Sequence, residues 1–212
     1  MRNQPVSAAT VSANPRPKRR ANFRWRVVDI VVGAVLAVAS GVVFWGWDGV
    51  WTPLSKPLDA VLPGLDSLLG GVWLFPAVLI PLIVRKPGAA IFAELVAATV
   101  EAILGTYWGA STLLSGFVQG LGAEIVFAAF LYLSWRLGTA ILAGAAAGLA
   151  LSILDLIVSY PGSKPEFVAI YVIGSVISGA VIAGLLSWLV VRALARTGAL
   201  NRFAAGRTTE LV

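Results

Sequence analysis

The chain has 212 residues, 58% of them hydrophobic and 12% charged, with 16 Lys and Arg against 10 Asp and Glu. A mean hydropathy of +0.88 and apolar runs of about twenty residues exclude an ordinary soluble domain, whose charged share is about 25%. There is no Cys and no His, which excludes disulfides, thiol chemistry, and the commonest general base and transition-metal ligand.

Residues 1–24 are rich in Pro, Ser and Arg and lack an apolar core, so they are expected to form a disordered basic cytoplasmic tail. Its cluster Arg16-Pro-Lys18-Arg19-Arg20 reads as a topology signal that can also meet anionic headgroups. The first apolar run, 27–45, is too long for a cleaved signal and carries small residues at spacing four, Gly33, Ala37 and Gly41, widened by Ala34 and Ser40. Such a strip serves close packing in the bundle or contact with another membrane protein. Asp29 sits beside Arg24 and Arg26, where a local ion pair accounts for it. A long outer loop, 46–67, follows with Trp47, Trp51, Pro53, Pro57 and Pro63, long enough to fold back as a lid.

The second helix, 68–84, is interrupted by Pro76 and Pro81. The third, 89–105, carries Glu94 and Glu101, seven residues apart and so on nearly one face, with Ala90, Ala97 and Ala98 on or beside it. A carboxylate at bilayer depth is costly unless it faces a cavity, a partner or a ligand. Glu101, nearer the outer face, suits a pocket; Glu94 can line it too, or bond within the bundle, or pair with Arg85 or Lys86. A short loop with Tyr107 and Trp108 leads to the fourth helix, 113–135. There Gly116, Gly120 and Glu124 share a face, and Gln119 points elsewhere but at a favourable outer depth. The fifth helix, 139–158, has Asp155 near its outer end, where headgroup water explains it. The sixth, 167–191, precedes a cytoplasmic C-terminal tail, 194–212.

The expected architecture is thus an all-α membrane protein with six transmembrane helices in one bundle over 25–193. With the N-terminus inside, fourteen of the 16 Lys and Arg fall on the cytoplasmic side, leaving Lys56 and Lys164 outside, so both termini are cytoplasmic. The basic balance reflects this topology in the lipid bilayer, not nucleic acid binding. No P-loop, H-E-x-x-H or G-x-S-x-G motif occurs, so neither ATP hydrolysis by the P-loop route nor a familiar hydrolase chemistry is read here, and no catalytic or metal-ligating set stands out. A pocket holding Glu, Gln, Trp and Tyr suits a small polar aromatic or cationic molecule.

The stretch Arg85-Lys-Pro-Gly-Ala-Ala-x-x-Ala-Glu94-x-x-Ala-Ala-x-x-Glu101-x-x-x-Gly105 with Trp108-Gly109, together with Gln119-Gly-x-Gly-Ala-Glu124-x-Val-Phe and Trp25-Arg26-Val27-Val28-Asp29, resembles the YkoE family. The resemblance runs from about Trp25 to Val191. It implies a substrate-binding S component of an energy-coupling factor (ECF) transporter in a bacterial cell membrane. The implied ligand is thiamine or its precursor hydroxymethylpyrimidine, with no cofactor. The implied partners are a transmembrane T component and two cytoplasmic ATPases. On that footing Glu101 and Gln119, with Glu94 and Glu124, are expected to bind the ligand, and Trp108, Tyr107 or Trp51 to stack on it. Gly33, Ala34, Ala37 and Gly41 are expected to meet the T component, with Val38 departing from an Ala-x-x-x-Ala pattern begun at Ala34. The competing readings are a proton-coupled secondary transporter using Glu94, Glu101 and Glu124, and a membrane enzyme or structural subunit without a ligand.

Overall fold

The computed structural model describes residues 23–207, which are helical or irregular with no strand among them. The Arg16–Arg20 cluster lies outside the described residues, as do most of the N-terminal segment and the last five residues.

Helix α1 (Val27–Val61) opens on a charged fork: Arg26 donates to Asp29 from Nε at 3.1 Å and from a terminal guanidinium nitrogen at 2.7 Å, and its backbone N–H reaches the same carboxylate at 3.0 Å. This satisfies both the buried carboxylate and a free N-terminal amide. At 35 residues α1 is about 50 Å long, well beyond the ~30 Å of a hydrocarbon core. The expected outer loop is therefore mostly helix, as far as Val61 and through Pro53 and Pro57. Each proline removes one ladder bond, but Gly49 and Pro53, whose carbonyls lose their donors, are exposed and stay solvated.

The chain reverses at Gly64, whose φ of 90° is a left-handed conformation that glycine adopts freely, while its N–H is held by Asp59 Oδ1 at 2.9 Å. A 3₁₀ helix (Leu65–Leu74) then meets α2 (Pro76–Val84) at Phe75, so the second expected helix is in fact two pieces broken at the first of its prolines. Helix α2 is apolar all round and almost wholly buried, the mark of a central helix. After the turn through Arg85 and Gly88 come α3 (Ala89–Leu104), α4 (Ser111–Ala129) and α5 (Leu137–Val158). The last long segment is α6 (Pro165–Ser178), a π-helical stretch (Gly179–Leu186) and α7 (Ser187–Arg196).

Among the described residues, five helical stretches are long and apolar enough to cross a membrane: α1, the 65–84 pair, α4, α5 and the 165–196 run. Helix α3, with 16 residues and two carboxylates, is shorter. Helices touch where side chains are smallest. A Cβ on Gly120 would stand 2.8 Å from the Ile91 Cα, so α4 lies directly on α3. Gly144 and Gly148 of α5 meet the backbone of Gly179 and Ser175 in the same way. Large apolar side chains such as Val35, Phe117, Ile153 and Ile173 point outward, as lipid requires. The expected C-terminal tail is partly docked instead: Leu200 and Phe203 are buried, and a short helix α8 (Ala204–Arg207) packs against α2.

Of the two uses read for the small strip of α1, the structure displays packing within the bundle. Gly33, Ala37 and Gly41 face inward, with Gly33 over Phe92 and Ile80 and Gly41 against Ala97 and Val100 of α3; Ala34 is half-buried. Packing within the bundle uses the strip. The outward face of α1 is instead valine-rich, with Val31, Val35, Val38 and Val42 exposed.

Candidate functional site

One cavity of about 130 Å³ lies between α3, α4, α5, α6, the 3₁₀ helix and the outer half of α1. That is close to the space known to hold a single aromatic ring in a protein interior, of order 150 Å³. Its walls combine acidic, amide and aromatic groups: Glu94, Glu101, Gln119, Trp51, Trp73, Trp108, Asp155, Tyr160 and Tyr171 among others.

Helical spacing brings the first two together. Glu94 and Glu101 stand two turns apart on α3 and both are buried. Glu94 Oε1 accepts the backbone N–H of Ala77 at 2.9 Å. That amide is free because it lies in the first turn of α2, behind Pro76. Oε2 of the same carboxylate is buried with no hydrogen-bond partner. A buried acceptor left open costs about 1–3 kcal/mol, so a residue of this kind belongs to a site that something else completes. Glu101 is held only loosely, by a long 3.4 Å contact from the Thr106 hydroxyl, which donates more strongly to Asp48 at 2.5 Å. Gln119 enters from α4 and is buried. Small residues on both helices, Ala98 and Gly116, leave the room between them.

Aromatic rings close one end of the cavity. The Trp51 and Trp73 ring centroids are 4.8 Å apart, edge to face, and Trp47 extends the cluster at 6.4 Å from Trp73. Trp108 lines the cavity across from them, whereas Tyr107 is 89% exposed and only touches the edge of Trp108. Tyr107 therefore does not reach the cavity.

Glu124 is also elsewhere. Its Oε1 accepts from Gly88 N at 2.6 Å and from the Tyr132 hydroxyl at 2.8 Å, and its Oε2 accepts from Ala90 N at 2.9 Å. It caps the N-terminus of α3, two turns further along α4 than Gly116, and is absent from the cavity lining. Burial, with the adjacent carboxylate, pushes the Tyr132 phenol up to about 12.

The sequence reading passed over four lining residues. Trp73 lies in the 3₁₀ helix. Tyr160 and Tyr171 belong to an aromatic group with Phe167, with centroid separations of 5.1 to 5.5 Å. Asp155, read as solvated, instead accepts the Tyr171 hydroxyl at 2.7 Å and faces the cavity. The signal was present, since Asp155 is an acid in an apolar helix like Glu94 and Glu101. Its partner sixteen residues on could not be seen from spacing within one helix. Among the described residues no group of three or more His, Cys, Asp and Glu is arranged to hold a metal ion.

Comparison with known proteins fits these features. The sequence pattern of the family described as "ABC-type cobalt transport system, permease component" matches residues 28–150. The putative HMP/thiamine permease protein YkoE of Bacillus subtilis (strain 168) is 37% identical over 185 residues, covering 86% of this chain and 91% of that one. A crystal structure of an S component of an ECF transporter superimposes with a TM-score of 0.80 and 36% identity, covering 88% of this chain and 94% of the other. On identity, coverage and shared architecture together, this chain belongs to the YkoE family of ECF-transporter S components, multi-pass proteins of the cell membrane that serve as transporter subunits and not as enzymes.

Proposed function

We propose that this chain captures thiamine or its precursor hydroxymethylpyrimidine from the outside and hands it to an ECF module made of a T component and two cytoplasmic ATPases. The observation that carries the reading is the open carboxylate oxygen of Glu94, buried at the floor of a ring-sized cavity beside Glu101 and Gln119. An aminopyrimidine presents amine hydrogens to such acceptors and a flat face to indoles, and the cavity offers both. Trp51 and Trp108 supply the stacking surfaces. A transition-metal cargo is disfavoured, since the chain has neither His nor Cys.

The same reading has the chain crossing the membrane six times with both ends in the cytoplasm. Helix α3 completes the sixth crossing, packed against α1, α2 and α4. No nucleotide-binding loop is present, so energy comes from the partner module. The T component meets the exposed valine face of α1, with Ala34 at its margin, in place of the inward-facing Gly33, Ala37 and Gly41.

The test is calorimetric titration of the detergent-solubilised protein with thiamine and with hydroxymethylpyrimidine, for the native chain, Glu101→Gln and Trp108→Ala. Each substitution is expected to weaken binding on the order of tenfold or more, about 1.4 kcal/mol. Unchanged affinity in both variants would remove these residues from the site. Uptake by the chain alone in proteoliposomes under a proton gradient would favour a secondary transporter instead.

A further inference from the structure

The cavity has two acidic poles. Glu94, Glu101 and Gln119 form the deep one. At the other, Asp155 sits in the last turn of α5 with its Oδ2 on the Tyr171 hydroxyl and with Tyr160 beside it, all three lining the cavity. Asp66 adds a further carboxylate nearby, whose Oδ1 is buried without a hydrogen-bond partner. Negative charge concentrates there enough to act on the loop. Burial, followed by the charges of Asp66, Asp155 and Asp59, pushes the Tyr160 phenol up to about 12. The Asp155 carboxylate on the Tyr171 hydroxyl, with the Tyr160 ring 5.3 Å from that of Tyr171, forms a surround that attracts an organic cation both by charge and by the ring quadrupole.

We propose that Asp155, with Tyr160 and Tyr171, is a cation subsite that receives the positively charged half of a two-part ligand, a planar aminoheterocycle joined to an organic cation. The inference rests on the ligand class proposed above and assigns its two halves. The enclosed volume fits one ring, so the uncharged amine-bearing ring occupies the deep pole and the cationic ring takes the mouth, where Asp155 and Tyr160 are. The cation then supplies the charge that this acidic pole lacks. On this basis the site distinguishes intact thiamine from the neutral pyrimidine alone, and Asp155 sets the difference.

Asp155→Asn removes the charge and keeps an oxygen to accept from Tyr171. In titrations of the detergent-solubilised full chain it is expected to weaken thiamine by about 10- to 100-fold and to change hydroxymethylpyrimidine by less than about threefold, within ordinary mutational scatter. Retained pyrimidine binding also shows that the variant is folded. Tyr171→Phe keeps the charge, so it is expected to preserve most of the preference for thiamine. The proposal is overturned if Asp155→Asn weakens both ligands equally or neither, or if Tyr171→Phe abolishes the preference as fully as Asp155→Asn does. Failure of the native chain to bind either ligand overturns the proposed function itself, and this assignment with it.

Discussion

Two glutamates in similar sequence settings have opposite duties. Glu94 keeps one oxygen open toward the cavity, while Glu124 spends both oxygens on Gly88, Ala90 and Tyr132. Removing Glu124 strands three donors at a helix terminus, each costing about 1 kcal/mol or more. Glu124→Ala is thus expected to lower stability by about 2–4 kcal/mol, a drop of roughly 5–15 °C in melting temperature for a chain of this size. Thiamine affinity measured well below the melt should be unchanged. A normal melting curve with lost binding would return Glu124 to the ligand site. Spacing along one helix was enough to pair Glu94 with Glu101, because both lie on α3. It could not separate Glu124 from them, since the amides it caps belong to a turn more than thirty residues away. Asp155 was misjudged for the same reason, its partner Tyr171 being on another helix.

Helices in this bundle are set by where side chains are missing. The seam between α5 and the 165–196 run brings backbones together at Gly144 and Gly148, against Gly179 and Ser175. A methyl group at Gly148 has nowhere to go, because the neighbouring atoms are backbone. Gly148→Ala is expected to cost about 1–3 kcal/mol through overpacking, read as a lower melting temperature. Gly46→Ala on the outer part of α1, where an added Cβ meets nothing within 4 Å, should be neutral or slightly stabilising in the same assay. Equal effects at the two sites would refute the seam. The sequence showed these small-residue patterns but not which neighbour each would face. On α1 it left bundle packing and a partner contact both open, and Gly41 packs inward on Ala97 and Val100. Its prolines were equally ambiguous: Pro53 and Pro57 read as loop but are carried within a helix whose outer end is exposed, whereas Pro76 does break the second hydrophobic run.

At the level of the whole chain, apolar run length carried the all-helical architecture, because lipid forces every backbone group into helix, while the distribution of Lys and Arg carries the proposed orientation. The absence of native Cys makes the topology directly testable. Single substitutions Lys56→Cys and Lys164→Cys should react with an impermeant maleimide on intact cells, and Arg136→Cys and Arg196→Cys only after permeabilisation. Labelling of positions 136 or 196 from outside would overturn the six-crossing arrangement. The backbone seam has a further consequence for motion. Helices in contact at bare glycines cannot slide without collision, so α5 and the 165–196 run travel as one piece. Ser178 fastens the 3₁₀ helix to that piece, accepting from Gly71 N at 2.8 Å and donating to the Leu68 carbonyl. Trp73 is therefore anchored while Trp51 rides on the far end of α1, so any shift of α1 against that piece falls on the contact between those two indoles.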